Sequence, residues 1–273
     1  MGEQTAISWC DHTKNLWWGC WKIADECANC YADATANRYA PGHWGRTAPR
    51  RFLGDDNLRE LLTWNRKANN DGVRRRVFVG SMMDWAERHP DPEILAKMDE
   101  RLSKFWPLVK QCDALDFLML TKRPEDGAAL LPWMAAEVYS PLSAVQIADP
   151  WPNVWVMTTA GTVKSLRRVV PSLRLIPAAV RGISCEPLLE HIPREEWDEA
   201  LGAWGLPIHW LIVGNESGPK RRPAELEWVR TAREAAAAHG IAFHFKQWVE
   251  PNGKKVHLPV LDGAQHAAFP ERP

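Results

Sequence analysis

Short apolar runs alternate along the chain with segments whose apolar residues recur at helical spacing. The runs predict seven strands, which lie at 7–19 (ISW to LWWG), 77–81, 116–121, 153–159, 180–184, 209–214 and 241–246. The helical spacing predicts helices at 31–39, 56–67, 93–109, 124–133, 163–170 and 222–239. Strands separated by helices are typical of a parallel sheet, so the pattern predicts a wound or barrel-like α/β domain.

Polar or small residues follow nearly every predicted strand. They are Ser81 and Asp84, Thr121 with Lys122 and Arg123, Thr158 and Thr159, Ser184 with Glu186, Asn215 with Glu216 and Ser217, and Lys246 with Gln247. Any one of them could cap the next helix. Because the carboxyl ends of parallel strands meet at one mouth, we expect these groups to converge on a single site.

Three cysteines follow the first apolar run with the spacing C-x6-C-x2-C, namely Cys20, Cys27 and Cys30. Three thiolates can hold a [4Fe-4S] cluster and leave one iron open to another ligand. A structural zinc site requires four protein ligands, and either Cys10 or His12 could supply the fourth. The spacing therefore favours an open cluster and leaves a closed zinc site as the alternative.

The composition limits the other possibilities. The chain has 273 residues, of which 45% are hydrophobic, and its 34 basic residues balance its 34 acidic ones. We expect one domain at 1–250 and a loosely packed tail at 251–273. No segment is apolar enough to span a membrane, and MGEQTAIS lacks the apolar stretch of a secretion signal, so a cytoplasmic location is expected.

The motifs match a known group of proteins. SWCDHTKNLWWGCWKIADECANCYAD, from Ser8 to Asp33, is followed in order by VFVGSMMDW, LMLTKRP, NVWVMTT, ISCEPLLE, WLIVGNESGPKRRP and FHFKQW. In these motifs the chain resembles a phage- and prophage-associated family of radical S-adenosylmethionine-like proteins, from about Ile7 to Trp248. It departs from the family pattern at Cys10, Leu16 and Glu26, where relatives carry Thr, Pro and Gly, and at MTTAG after the fourth strand.

The resemblance implies a fold and a set of roles. The fold is a partial (β/α) barrel of about six to seven parallel strands, with a [4Fe-4S] cluster on the three cysteines and S-adenosylmethionine on the open iron. The implied cofactor contacts are Tyr31 beside the adenine, Ser81 and Asp84 at the amino group, Thr158 at the ribose, and the segment 213–216 including Gly214 at the adenine edge. Lys122 and Arg123 would pair with the carboxylate of the cofactor or with a phosphate of the substrate. Glu186, Glu216 and Lys246 are expected to face the substrate as catalytic residues.

The predicted function is that of a radical enzyme. It would receive an electron from an external donor, generate a 5'-deoxyadenosyl radical and modify or repair a base in DNA or RNA. Clusters at Arg46 with Arg50 and Arg51, at Arg74–Arg76 and at Lys220–Arg222 could contact phosphates, or could be solvated surface. The alternative is a zinc-stabilised nucleic-acid-binding module without radical chemistry.

Overall fold

The computed structural model describes residues 5–132, 149–202, 205–218 and 220–272. Their strands are β1 (His12–Lys14), β2 (Trp17–Trp18), β3 (Arg51–Phe52), β4 (Arg75–Val79), β5 (Leu115–Thr121), β6 (Val154–Thr159), β7 (Val180–Cys185), β8 (Trp210–Gly214), β9 (Ala242–Val249), β10 (Lys255–His257), β11 (Val260–Leu261) and β12 (Ala264–Gln265). Their helices are α1 (Tyr31–Tyr39), α2 (Asp55–Asp71), α3 (Pro92–Gln111), α4 (Pro124–Gly127), α5 (Val163–Leu173), α6 (Arg194–Gly202) and α7 (Leu226–Ala238). No helix in these ranges is long and apolar enough to cross a membrane.

Eight of the strands form one sheet that curls into a half-barrel, in the order β1-β4-β5-β6-β7-β8-β9-β10. The first seven are parallel, and β10 pairs antiparallel with β9. Thr121 of β5 is paired with Thr158 of β6, and Thr159 of β6 with Ser184 of β7. This register places the carboxyl ends of the strands along one edge of the sheet, as the fold prediction requires.

The two faces of the sheet are covered differently. On the outer face the helices pack against the strands, as where Phe105 of α3 meets Phe117 of β5 at 5.8 Å between ring centroids. Inside the curl an aromatic cluster that includes Trp9, Trp155 and Trp210 fills the space between the strands. Burial on both faces explains why the strands are near-continuous apolar runs. The polar strand ends therefore lie at the edge that this inner cluster leaves open.

Most predicted elements are confirmed within a few residues. The helix predicted at 31–39 has those bounds, and α3 begins where Asp91 accepts hydrogen bonds from the backbone N–H groups of Glu93 and Ile94. The run at 7–19 is not one strand, because β2 leaves the sheet and pairs with β3. Helix α6 was not predicted. Residue 133, the end of the helix predicted at 124–133, lies outside the described residues.

Part of the segment predicted as a tail at 251–273 pairs with the sheet, because Lys255–His257 forms β10 beside β9. His257 of β10 is paired with Gln247 of β9. Phe269 lies 5.2 Å from Trp210, between ring centroids, and so extends the inner aromatic cluster. The chain after residue 250 thus adds an edge strand to the sheet and one aromatic ring to the inner cluster.

Candidate functional site

A cavity of 470 Å³ opens at the carboxyl edge of the sheet. Its wall includes the cysteine loop, which we define as residues 20–30, and the ends of six strands. The strand-end side chains that line it include Ser81, Asp84, Lys122, Thr159, Glu186, Glu216 and Lys246. The polar strand ends therefore line one cavity, as the sequence predicts.

All three cysteines of the loop line this cavity. Cys27 ends a 3₁₀ turn at Asp25–Cys27 and is buried, while Cys20 and Cys30 are half-buried. Cys30 is the N-cap residue of α1.

Arg123 connects one cysteine to the end of β4. Its Nη1 donates to Sγ of Cys20 at 3.8 Å and to Oδ2 of Asp84 at 2.7 Å, and its Nη2 donates to the carbonyl of Trp21 at 3.0 Å. The guanidinium also lies 4.8 Å from the centroid of the Trp21 ring. Burial raises the pKa of the Cys20 thiol to about 12, although the arginine opposes this rise. The thiol is therefore protonated at neutral pH unless a metal displaces its proton.

Asp84 has all its acceptor positions in use. Oδ1 accepts from the hydroxyl of Thr121 at 2.6 Å and the N–H of Ala86 at 3.1 Å, while Oδ2 accepts from the N–H of Lys122 at 3.0 Å and from Arg123. The carboxylate thus ties the end of β4 to the end of β5. A cofactor ammonium at this residue would have to compete with these donors.

The ammonium of Lys122 faces the cysteines. Burial by itself would lower the pKa of Lys122, but the negative charge available at Cys27, Cys30, Asp84 and Cys20 outweighs burial and raises it. Among the described residues no carboxylate lies within ion-pair distance of this ammonium. Its charge is therefore available to an anionic group in the cavity.

Glu216 anchors the cysteine loop to the far side of the mouth. Its carboxylate accepts from Arg222 through Nη2 at 2.6 Å and Nε at 3.1 Å, and from the side-chain amide of Asn29 at 2.9 Å. Burial would raise the pKa of Glu216, but the hydrogen bonds from Arg222 and Asn29 outweigh it and lower the pKa. Glu216, predicted to face the substrate, therefore holds the loop in place.

Glu186 and Lys246 form an ion pair on the wall of the cavity. Nζ of Lys246 lies 2.5 Å from Oε1 of Glu186. Oε2 accepts from the indole N–H of Trp9 at 3.1 Å and the hydroxyl of Ser184 at 3.2 Å. The structure thus brings the two predicted residues together as a pair.

The remaining predicted contacts divide into two groups. Tyr31 and Ser81 line the cavity, and the Tyr31 hydroxyl donates to the carbonyl of Ser81 at 2.8 Å. Thr158 and Gly214 are not among the described residues that line it. The Thr158 hydroxyl instead donates to the carbonyl of Thr121 at 3.0 Å. Because side chains alternate along a strand, the neighbouring Thr159 is the one that reaches the cavity.

Several lining residues were not predicted as site residues. They include Glu26, Asn29, Trp21 and Trp44. Glu26 had one sequence signal, since it is one of the positions at which the chain departs from the pattern of the family it resembles. Oε1 of Glu26 accepts from the N–H of Gly161 at 2.7 Å, so this acid joins the cysteine loop to the end of β6.

The two candidates for a fourth metal ligand lie elsewhere. Cys10 packs in the inner cluster with Trp9 and Phe78, and His12 stacks on Trp64 with 4.5 Å between ring centroids. Neither is among the described residues that line the cavity. Within the described ranges, no three His, Cys, Asp or Glu side chains are already grouped closely enough to hold a metal ion.

The predicted phosphate-binding clusters are largely engaged within the protein. Five arginines form ion pairs with acids: Arg74 with Asp116, Arg75 with Asp71, Arg76 with Asp11, Arg50 with Glu87, and Arg222 with Glu216. Two lie over tryptophan rings, Arg46 over Trp21 and Arg51 over Trp18. Arg221 donates to the backbone carbonyls of Glu250 and Pro251. Most of these arginines are therefore held by contacts within the protein, and are neither free for phosphates nor simply solvated.

The fold and cavity define an α/β protein with a mostly parallel half-barrel sheet and a cysteine-lined cavity at its carboxyl edge. The chain belongs to the family described as Protein of unknown function (DUF5131), which matches residues 4–270. No curated protein and no solved structure matches the chain.

Proposed function

We propose that the protein is a radical S-adenosylmethionine enzyme whose [4Fe-4S] cluster is held by Cys20, Cys27 and Cys30. The observation that carries the proposal is the presence of all three cysteines on the wall of one cavity, at the carboxyl edge of a parallel half-barrel sheet. Active sites of parallel α/β folds lie at this edge. The resemblance in motifs from Ile7 to Trp248 supports the same class, including its partial-barrel fold.

The groups around the cysteines fit an iron-sulfur cluster. Three thiolates can each ligate one iron, and N–H groups directed at cysteine sulfur tune such clusters. Arg123 supplies that N–H to Cys20. Cys10 and His12 lie outside the cavity wall, which argues against a closed four-ligand zinc site. We therefore do not carry the zinc-stabilised module further.

When bound, the cluster with S-adenosylmethionine would supply one-electron reductive cleavage of a carbon–sulfur bond. The protein's part is to bind, orient and exclude water. Lys122 offers a cation without a carboxylate partner among the described residues, which suits the carboxylate of the cofactor. Asn29 and Glu216 hold the cysteine loop over the mouth.

The Glu186–Lys246 pair suits the substrate side of the cavity, since it can give or accept a proton next to a bound molecule. A nucleic-acid base stays the proposed class of substrate. Trp21 and Trp44 line the cavity, and aromatic rings of this kind can stack on a base. Most arginines of the basic clusters are paired within the protein. We therefore propose that the base is recognised in the cavity and not by these clusters.

The test is anaerobic reconstitution with iron and sulfide, followed by incubation with S-adenosylmethionine and a reductant. We expect a brown protein with about four irons per chain that forms 5'-deoxyadenosine. Cys27→Ser is the matched control and should do neither. A colourless protein that retains one tightly bound zinc ion would overturn the proposal.

A further inference from the structure

Strand β10 contributes two side chains to the cavity that the proposed function leaves without a role. Lys255 and His257 both line the cavity, whereas Val256 between them is not among the described residues that line it. This is the alternation expected of a strand, in which every second side chain faces the same way. Both residues are exposed, so they lie at the open rim of the cavity. Part of the segment predicted as a tail therefore supplies cavity wall.

The hairpin that carries these two side chains is held by the rest of the fold. The N–H of Leu258 donates to the carbonyl of Lys246 at 2.9 Å, which fixes the end of β10 beside β9. In the turn between the two strands, Nη2 of Arg221 donates to the carbonyls of Glu250 and Pro251. The backbone of β10 is therefore positioned by the protein, without a ligand.

Neither side chain has a partner within the described part of the chain. No carboxylate there lies within ion-pair distance of the Lys255 ammonium, and no described residue is hydrogen-bonded to the His257 ring. Lys246 differs from them, because its ammonium is already paired with Glu186 at 2.5 Å. The donors of Lys255 and His257 are thus available to a bound molecule.

The charges around these two residues favour an anion. Partial burial lowers the pKa of Lys255, and the positive charge of Lys246 lowers it further, with Glu186 opposing. Burial also lowers the pKa of His257, and the positive charges of Lys255 and Lys246 add to that shift. The cationic groups therefore repel one another at this rim. An anion bound between them would relieve the repulsion.

This positive rim is distinct from the ammonium of Lys122. The charges that act on Lys122 are those of the three cysteines and Asp84, whereas the charges that act on Lys255 are those of Lys246 and Glu186. Lys122 therefore belongs to the cysteine side of the cavity. Lys255 belongs to the side of the Glu186–Lys246 pair, which the proposed function gives to the substrate. An anionic group bound by Lys255 is then part of the substrate.

We propose that Lys255 and His257 form a subsite for a phosphate group of the substrate. An ammonium and an imidazole N–H both donate to phosphate oxygens, and phosphate is the anion that accompanies a nucleic-acid base. The molecule that enters the cavity is then a nucleotide, either free or within a strand, and not a free base or a nucleoside. The inference rests on the proposed function and deepens it, because it adds a second recognised group to the base.

The experiment measures binding of strands and of single nucleotides to the full chain. Fluorescence anisotropy follows labelled, mixed-sequence single strands of DNA and RNA of about ten nucleotides. Calorimetry follows each nucleoside and its 5'-monophosphate. In the wild type, the monophosphate that binds most tightly should bind about tenfold more tightly than its nucleoside, since a charge-assisted hydrogen bond is lost with the phosphate.

Lys255→Ala should weaken binding of the strand or the monophosphate by about tenfold, and His257→Ala by about fivefold, because the imidazole contributes a neutral hydrogen bond. Lys254→Ala is the matched control. Lys254 is an exposed lysine one residue before Lys255, and it is not among the described residues that line the cavity. The control removes the same charge and should bind as the wild type does.

The two kinds of ligand distinguish the two sources of phosphate. Tighter binding of a strand than of any monophosphate, with a salt slope that Lys255→Ala lowers by about 0.7, assigns the phosphate to a strand. Tighter binding of a monophosphate assigns it to a free nucleotide. Either result supports the subsite.

Three results would overturn the subsite. They are equal losses in Lys254→Ala and Lys255→Ala, equal affinity of the wild type for nucleosides and monophosphates, and no binding of any strand or monophosphate at millimolar concentration. The comparison of nucleosides with monophosphates uses the wild type, so it stands even if a variant fails to fold.

The subsite and the radical chemistry can fail separately. If the protein forms 5'-deoxyadenosine but Lys255→Ala binds as the wild type does, the subsite is refuted and the radical chemistry stands. If binding depends on Lys255 but no cluster assembles, the radical chemistry is refuted and the phosphate subsite stands.

Discussion

Arg123 lies 103 residues after Cys20 in the sequence, yet its guanidinium donates directly to the sulfur of that cysteine. The same guanidinium pairs with Asp84, and both side chains of the pair are almost fully buried. Removing one partner of a buried ion pair leaves an unpaired charge, which is far more costly than losing an exposed pair. Arg123 therefore contributes to the stability of the fold and also contacts a candidate cluster ligand.

Arg123→Met should lower the free energy of unfolding by about 3–5 kcal/mol, because it strands the Asp84 carboxylate in the interior. Urea unfolding of the metal-free protein measures this change. Adding Asp84→Asn should recover part of the loss, since the unpaired charge is then gone. Arg168→Met is the control, because its partner Glu125 is exposed, and it should cost less than about 1 kcal/mol. Equal losses in the two arginine variants would contradict the prediction.

Alanine at Cys20, Cys27 or Cys30 should abolish iron binding, because two thiolates cannot hold the cluster. Cys10→Ala should keep the full iron content, since Cys10 packs in the aromatic core and not on the cavity wall. Iron and sulfide analysis after anaerobic reconstitution distinguishes the four variants. The assignment of ligands is wrong if Cys10→Ala loses its iron together with the other three.

Glu216→Gln should loosen the cysteine loop, because the charge-assisted hydrogen bonds from Arg222 are weakened. Cys27 exposes only 8% of its surface in the wild type. In metal-free Glu216→Gln we expect Cys27 to react with iodoacetamide about tenfold faster than in the metal-free wild type. Glu227→Gln removes an exposed acid that pairs with Arg230 and should leave the rate unchanged. An unchanged rate in Glu216→Gln would show that other contacts hold the loop.

The stability of the fold should fall in mild acid because of His244. Burial lowers the pKa of this histidine from its ordinary 6.5 to about 4, with Glu186 opposing the shift and Arg76 and Lys246 adding to it. Between these two values the unfolded chain binds a proton that the folded chain does not, so the unfolding free energy rises with pH. The loss on going from pH 6.5 to 4 should approach ~3 kcal/mol.

Urea unfolding at several pH values tests this, together with NMR titration of the His244 ring. In the folded protein the ring should stay neutral down to about pH 4. His244→Phe should flatten the pH dependence over the same range. A folded-state titration near pH 6.5 would refute the prediction.

The sequence was sufficient to predict the strands that are buried on both faces, since these are near-continuous apolar runs, as in Val154–Thr159. It misled at the N-terminus because Trp17–Trp18 has the composition of a core strand although it pairs with Arg51–Phe52. Helix α6 was missed because its sequence, REEWDEALG, buries only Trp197, Ala200 and Leu201, too few to establish a period.

The sequence predicts which edge of the sheet carries the candidate site, but not which side chains contact one another there. Strand order alone brings Cys20 and Lys122 to one cavity, because parallel strands share a carboxyl edge. The role of Glu216 depends on Arg222 and Asn29, and Asn29 is 187 residues away from Glu216. Such pairings between distant residues decide which acidic side chains are already hydrogen-bonded within the protein. The local sequence around each acid does not show these pairings.

The cysteine loop depends on contacts that form across most of the chain. Glu26 reaches Gly161 over 135 residues, and Asn29 reaches Glu216 over 187. Contacts between residues this far apart cannot form until both have been synthesised. During synthesis the cysteines emerge long before the residues that hold them in place. A ribosome-bound chain that has not yet reached Glu216 would therefore present its thiols without the cavity. Assembly of the proposed cluster is expected to follow completion of the sheet.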